Sequence, residues 1–418
     1  MRSAVIGVLR CREFRRLFTA QVVALVGTGL LTVALGLLAY DLAGGAAGAV
    51  LGTALAIKMV AYVAVAPVIS ALAERLPRRR VLVSADVARA VVALTLPWVG
   101  QVWQVYVLVF VLQSASATFT PLFQSVIPAV LVEQADYTRG LSLSRLAYDL
   151  ESLLSPVLAA VVLAVAGYHV LFVGTAAGFA ASAALVARTR LPRPVLAEDA
   201  GPLIGRITRG GRIMLADPVL RGLLAMNLAV AAATALVVVN TVVYVRDLLG
   251  GSGAAMAVAL GCFGGGSMVV ALSVPRLLAV VADRRLMLAG CAVLPIGLLV
   301  AAGLAALRPG PAVGWMLLGV VWIALGAGTS MVNTPSARLL RARSVPETRA
   351  AVFTAQFSLS HAGFLLTYPV AGWLGATAGQ AIAAVALGGV ATLAASAAAR
   401  VWPAGAAAGI GMAVARGR

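Results

Sequence analysis

SALAERLPRRRVLV, from Ser70 to Val83, is the stretch on which the fold turns. It sets one acid, Glu74, and four arginines, Arg75 and Arg78 to Arg80, between two apolar runs. A chain with that pattern leaves an apolar medium, makes a short charged turn and goes straight back in. The same rhythm continues in both directions. The chain is 62% hydrophobic and 11% charged over 418 residues, with mean hydropathy +1.01, where soluble domains carry roughly 25% charged residues. Apolar runs of about 20 residues, the length a helix needs to cross about 30 Å of hydrocarbon, recur throughout. This composition specifies an all-α integral membrane protein without a separate soluble domain.

Twelve spans are predicted, at 17–40, 50–73, 81–99, 105–127, 141–166, 170–187, 223–245, 254–274, 286–307, 313–333, 350–373 and 381–399. The opening MRSAVIGVLRCREFRR has too short an apolar core for a secretory signal, so the first span is expected to be retained. A net charge of +18 would point to nucleic acid in a soluble protein, but here the placement of the charge argues against that partner. With the N-terminus in the cytoplasm, the arginine clusters 10–16, 75–80, 188–193, 206–212, 284–285 and 338–343 all fall inside, and only Arg246 and Arg308 fall outside. That asymmetry is the positive-inside rule; it predicts an even number of spans in the inner (plasma) membrane with both termini cytoplasmic. The basic surplus also gives membrane lipid as a partner. Cys11, Cys262 and Cys291 are odd in number and scattered, so neither a disulfide framework nor a zinc site is expected.

The longest polar connection divides the chain into a six-span bundle at 1–187, a cytoplasmic central loop at 188–222 and a second six-span bundle at 223–418. Within that loop LIGRITRGGRIML alternates basic and apolar residues at helical spacing and is expected to lie on the inner leaflet. The two bundles look duplicated. ERLPRRRVLV between the second and third spans has its counterpart in AVVADRRLML, and SLSR at 142–145 recurs as SLSH at 358–361, each followed by a proline, Pro156 and Pro369.

On these features the sequence resembles the major facilitator superfamily over essentially its whole length. In SALAERLPRRRVLV, Ser70 stands for the first glycine of that family's loop signature, Glu74 for its aspartate, Arg75 for its arginine, Pro77 for its second glycine and Arg78, Arg79 and Arg80 for its basic run. The resemblance implies a conformational latch there, with Glu74, Arg75, Asp86 and Arg89 as a charge cluster. Two replaced glycines and a Glu for Asp make the match a degenerate one. SPVLAA resembles the family's antiporter signature in the fifth helix, with Ser155, Pro156, Ala159 and Ala160 at the matching positions; small residues there permit close helix approach. The general look is that of the macrolide-exporter and siderophore-exporter branch, with a weaker likeness to the nickel-resistance type.

The fifth span carries three charges, Arg145, Asp149 and Glu151. At 1.5 Å per residue from Gly140, Asp149 lies roughly 13 Å and Glu151 roughly 16 Å along the helix, near mid-bilayer. An ionised group there costs about 2.5 to 3.5 kcal/mol on insertion scales, so each must pair, protonate or line water. Arg145 and Asp149, four apart, are placed to pair with each other. Glu151 lies about 200° around from Asp149, without that partner, and is the candidate proton carrier. A structural ion network is the competing reading for all three. Lys58, the only lysine, lies mid-span in helix 2, and His361 in helix 11; a lone histidine in a helix is more often hydrogen-bonded packing than a switch, yet a pKa near 6.5 makes it able to relay protons. By the resemblance Gln21, Lys58, Asn227, Asn240 and Asn333 line a substrate cavity, and each asparagine is equally well interhelical glue. There is no GxxxxGK[ST] loop for ATP and no metal-ligand spacing.

The sequence therefore predicts a monomeric, twelve-helix secondary transporter with no cofactor and no enzymatic activity, exporting a small organic compound in exchange for protons. Export of a divalent metal or metalloid, with ligands from Asp149, Glu151, His361 and the asparagines, is the first alternative. A non-transporting sensor of transporter fold is the second.

Overall fold

The computed structural model describes residues 7–43, 53–54, 57–73, 76–163, 165–191, 202–251 and 253–403. Among them helix follows helix without a strand: α1 (Arg12–Ala43), α2 (Ile57–Leu72), α3 (Arg78–Thr95), α4 (Val102–Val130), α5 (Gln134–Leu163), α6 (His169–Ala187), α7 (Leu203–Ala216), α8 (Pro218–Val243), α9 (Gly253–Val280), α10 (Asp283–Leu307), α11 (Pro311–Ala342), α12 (Arg349–Pro369) and α13 (Gln380–Val401). Twelve of these correspond in order to the twelve predicted spans; α7 is the basic stretch of the central connection. Nine are long and apolar enough to cross a membrane by length and composition, and α2 is a shorter apolar helix. The protein is a multi-pass membrane protein. Helices suit that medium because each satisfies its own backbone hydrogen bonds.

Local sequence sets the helix ends. The Asp217 side chain accepts from the amides of Val219 and Leu220 at 2.7 and 3.2 Å, and Pro218 fills the first turn of α8. Between α12 and α13, Gly379 holds φ +93°, a conformation that favours glycine. Wider π-type turns occur at Ala61–Val65 within α2, at Tyr244–Leu248 beyond α8 and at Val370–Leu374 beyond α12.

The chain divides into two compact units, Met1–Gly211 with Ser344–Ser358, and Arg212–Arg343 with Leu359–Arg418. The division falls inside α7, within the 188–222 segment that the sequence sets apart, and also inside α12. In the first unit α1 packs on α6 and α5, α3 on α4 and α6, and α2 on α4. In the second unit α8 packs on α13 and on the turn after α12, α10 on α11 and α13, and α9 on α11. These are the same pairings six spans later, so the duplication read from two loops extends to the packing of each bundle.

Leu31, Leu38, Leu96, Leu112, Leu171 and Phe172 form the buried centre of the first unit. In the second, Trp322 is fully buried, its indole donates to Thr241 Oγ1 at 2.9 Å, and its ring lies 5.4 Å from that of Tyr244. Here α9 and α11 touch backbone to backbone. A Cβ on Gly326 would stand 1.9 Å from the carbonyl oxygen of Phe263, while one on Gly389 would meet nothing within 4 Å. Gly326→Val should therefore destabilise the detergent-solubilised protein by about 1–3 kcal/mol, lowering its Tm, and Gly389→Val should leave Tm unchanged. Equal Tm values for the two variants would contradict the close α9–α11 contact.

Candidate functional site

A cavity of about 200 Å³ lies within the first unit. Gln21 and Thr28 of α1, Lys58 and Tyr62 of α2, Arg89 of α3, Gln113 and Phe119 of α4 and Tyr148 of α5 contribute to its wall. The polar groups hold one another in place. Ser144 donates to Gln21 Oε1 at 2.9 Å, the Tyr148 side chain also hydrogen-bonds Gln21, and the Tyr62 hydroxyl donates to Gln113 Oε1 at 3.2 Å. Lys58 places its ammonium 5.5 Å from the Tyr62 ring centroid, close enough for a cation–π contact. Tyr62 stands in the π-type turn of α2, a backbone irregularity often found at functional positions. Of the predicted cavity residues, Gln21 and Lys58 line this space. Tyr62, Gln113 and Tyr148 were missed, although Tyr148 follows Ser144 by four residues and precedes Glu151 by three, a spacing that puts all three on one helix face.

Glu151 packs where α5 crosses α1. Ser155 Oγ lies 3.5 Å from its Oε1, and a Cβ on Gly29 would stand 2.9 Å from that oxygen and 1.7 Å from Ser155 Oγ. Ser155 and Ala159 are both buried, and α1 comes close to α5 at Ser155. Glu151 stands in the field of Lys58 on α2. The sequence leaves Glu151 needing either a partner from elsewhere or a proton, and Lys58 of another helix is a cation whose field reaches it. The side chains of Asp149, Pro156 and Ala160 lie outside the described residues, and Arg145 is half-buried and partnered.

Asp86 and Arg89 sit about 16 Å into α3 as measured to Arg89 from Arg78. They form a buried ion pair, with side chains 0% and 5% exposed. Ser182 donates to the second Asp86 oxygen at 2.7 Å, and the guanidinium lies 4.4 Å from the Phe119 ring centroid and 4.5 Å from that of Phe179. Both residues are thus held by α3, α4 and α6. Arg89 Nε remains without a hydrogen-bond acceptor.

At the charged turn, Glu74 and Arg75 lie outside the described residues. Thr354 donates to Ser70 Oγ at 2.9 Å, Arg79 reaches the carbonyl of Ala187 at 3.4 Å, Arg78 stands in the field of Arg349, and Arg80 is exposed. The corresponding acid of the second bundle, Asp283, pairs with Arg338 at 3.4 Å. In the second unit Asn240 donates to the carbonyl of Ala371 at 3.0 Å and to Gln380, which ties α8 to the turn after α12 and to α13. Asn227 is buried with its Nδ2 unsatisfied, Asn333 is half-buried, and His361 has its ring 6.0 Å from Phe364. Among the described residues no three acidic, histidine or cysteine side chains cluster as metal ligands.

The profile of the Major Facilitator Superfamily matches residues 17–322. The chain belongs to the major facilitator superfamily. Solved structures of this fold agree with its helix arrangement. The human organic anion transporter TETRAN superposes with TM-score 0.74 at 14% identity, over 93% of this chain and 99% of that one. A bacterial homologue of the iron transporter ferroportin, in its outward-facing state, gives TM-score 0.75 at 15% identity over 93% and 99%. The Escherichia coli fucose:proton symporter FucP gives 0.71 at 15% over 93% and 98%. At these identities the likeness is one of fold. No protein of curated function matches the chain. Membership makes this facilitator a secondary transporter, with Lys58, Glu151 and the Asp86–Arg89 pair as charges in the membrane-spanning part of its first bundle.

Proposed function

We propose that the protein exports a small organic compound across the plasma membrane by alternating access, coupled to protons, with both termini in the cytoplasm. The observation that carries this reading is the cavity of about 200 Å³ in which Lys58 faces aromatic and amide side chains while its field reaches Glu151. A carboxylate and an ammonium opposed in a low dielectric form a group that takes up or loses a proton as a third charge arrives. The volume is below the roughly 300–1,000 Å³ of sites for drug-sized ligands, so the occupant is small. Neighbouring structures are described as an organic anion transporter, a bacterial homologue of an iron transporter and a fucose:proton symporter, and share no substrate class that transfers to this chain.

In this scheme Gln21, Lys58 and Tyr148 hold the substrate and Glu151 carries the proton. Ser70, Glu74, Arg75 and Arg78 to Arg80 act as a latch, to which the Ser70–Thr354 hydrogen bond contributes. Outward direction rests on the small-residue pattern of Ser155 and Ala159. The test uses everted vesicles carrying the protein, with an imposed pH gradient and vesicles lacking the protein as reference. Small organic acids, amines, neutral aromatics and nickel are added in turn. At least one organic compound is expected to shift the internal pH only where the protein is present. A response to nickel alone would favour metal export, and no response to any compound would refute transport.

A further inference from the structure

We infer that the cavity of the first unit selects a small organic anion, holding its carboxylate at Lys58 and Arg89 while a proton on Glu151 travels with it. The inference rests on the reading of this cavity as the substrate site and adds its charge and its coupling sign. Three observations support it. First, among the described residues the charged side chains that line the cavity, Lys58 and Arg89, are both cations, and the rest of the described wall is amide, hydroxyl, aromatic and aliphatic. Second, Arg89 is 4% exposed, lines the cavity, and keeps an Nε–H with no acceptor although its other nitrogens face Asp86 and two rings. A buried donor left unmade costs about 1–3 kcal/mol, so an acceptor brought by a ligand is favoured there. Third, Lys58 on the cavity wall exerts its field on Glu151, which follows the lining residue Tyr148 by three positions on α5.

That third point sets the coupling. Lys58 can be neutralised by Glu151 or by the ligand. When a ligand carboxylate arrives, two anions face one ammonium, and the excess negative charge in a low dielectric is relieved when Glu151 takes a proton from water. Anion and proton then occupy the site together and leave together, so the pair crosses as the neutral acid. The other described groups around Glu151 do not alter this balance. Ser155 on its own helix donates a hydrogen bond and is neutral, and Arg145 lies nearly two turns away with partners of its own. Helix α1 presents Gly29, and α1, α4 and α6 carry ionisable groups such as Glu13, Tyr106 and His169 towards their ends. Asp86 and Arg89 of α3 neutralise one another. Export then runs on the anion's own outward gradient, whereas the exchange implied by the α5 signature would move the proton the opposite way.

Benzoate, benzamide and benzylamine share one ring and differ in charge, and they serve as probes. Binding to the purified protein is read as the rise in Tm with ligand concentration. Benzoate should stabilise at millimolar concentration and the other two should not. Its affinity should strengthen about tenfold on going from alkaline to mildly acid pH, where benzoate stays ionised, and this pH dependence should vanish in Glu151→Gln. Lys58→Gln should weaken benzoate at least tenfold and Lys58→Arg should restore most of it. The pH dependence and the arginine rescue separate a charge role from a merely structural one. Preference for benzylamine, no binding of any probe, or undiminished benzoate binding by Lys58→Gln would overturn the inference. Benzylamine binding with vesicle transport intact would leave the transporter reading standing; benzoate binding without flux would do the reverse.

Discussion

Glu151→Gln is expected to abolish substrate accumulation driven by a pH gradient while downhill exchange of labelled for unlabelled substrate continues. The amide imitates the protonated carboxyl in shape and charge, keeps a hydrogen-bonding partner for Ser155, whose Oγ lies 3.5 Å from Oε1, and still fits against Gly29. What it removes is the exchangeable proton. One pH unit is worth about 1.36 kcal/mol per proton, so a carrier coupled one-to-one sustains about a tenfold concentration ratio across each unit of gradient. In the variant that ratio should fall to about one. Exchange survives because Lys58 is freed from its internal partner and remains available to the substrate. The measurement is uptake into proteoliposomes with and without an imposed gradient, beside counterflow at equal pH. A variant that still accumulates substrate tenfold per pH unit would remove Glu151 from coupling, and one that loses exchange as well would make it a structural residue.

The bundle architecture was legible because it rests on local quantities. Hydrophobic run length, the arginine clusters and the Glu74–Arg80 turn each report on a few neighbouring residues, and helix order follows from them. Even the duplicated packing was foreshadowed, since ERLPRRR and ADRRLML both return the chain into the membrane after a charged turn. Which cation acts on Glu151 was not legible. It depends on how α2 and α5 are rotated about their axes, whereas sequence spacing names partners only three or four residues apart. That rule led from Arg145 to Asp149 and left Glu151 to a partner elsewhere or a proton. Arg89 was grouped with the loop through the resemblance; its distance from Arg78 puts it about 16 Å into a helix, where it pairs with Asp86. The attachment of 344–358 to the first unit, carried by contacts such as Thr354 with Ser70, has no signal in the local pattern at all.

Asp86→Asn should cost more folded protein than any other single change in the first bundle, because it leaves Arg89 charged and buried. The guanidinium is 5% exposed and held between Phe119 and Phe179, so it cannot turn towards water without displacing both rings. An arginine does not shed its proton in a protein, so the charge stays. Removing one partner of a buried ion pair typically costs about 3–5 kcal/mol, a large share of the 5–15 kcal/mol that holds a typical domain together. Ser182 can still donate to the amide oxygen, and this separates the two contributions: Ser182→Ala removes one neutral hydrogen bond, worth about 0.5–1.5 kcal/mol, and should be well tolerated. Replacing both charges together, Asp86→Asn with Arg89→Met, takes the uncompensated cation away and should recover most of the yield while losing benzoate binding. Folded yield is read as the monodisperse fraction on size-exclusion chromatography in mild detergent, with Tm alongside. An Asp86→Asn protein that is as monodisperse and as heat-resistant as the parent would mean that Arg89 finds its countercharge elsewhere; a double variant that folds no better than the single one would mean that the pair's packing between the rings, and not its charge balance, holds α3 in place.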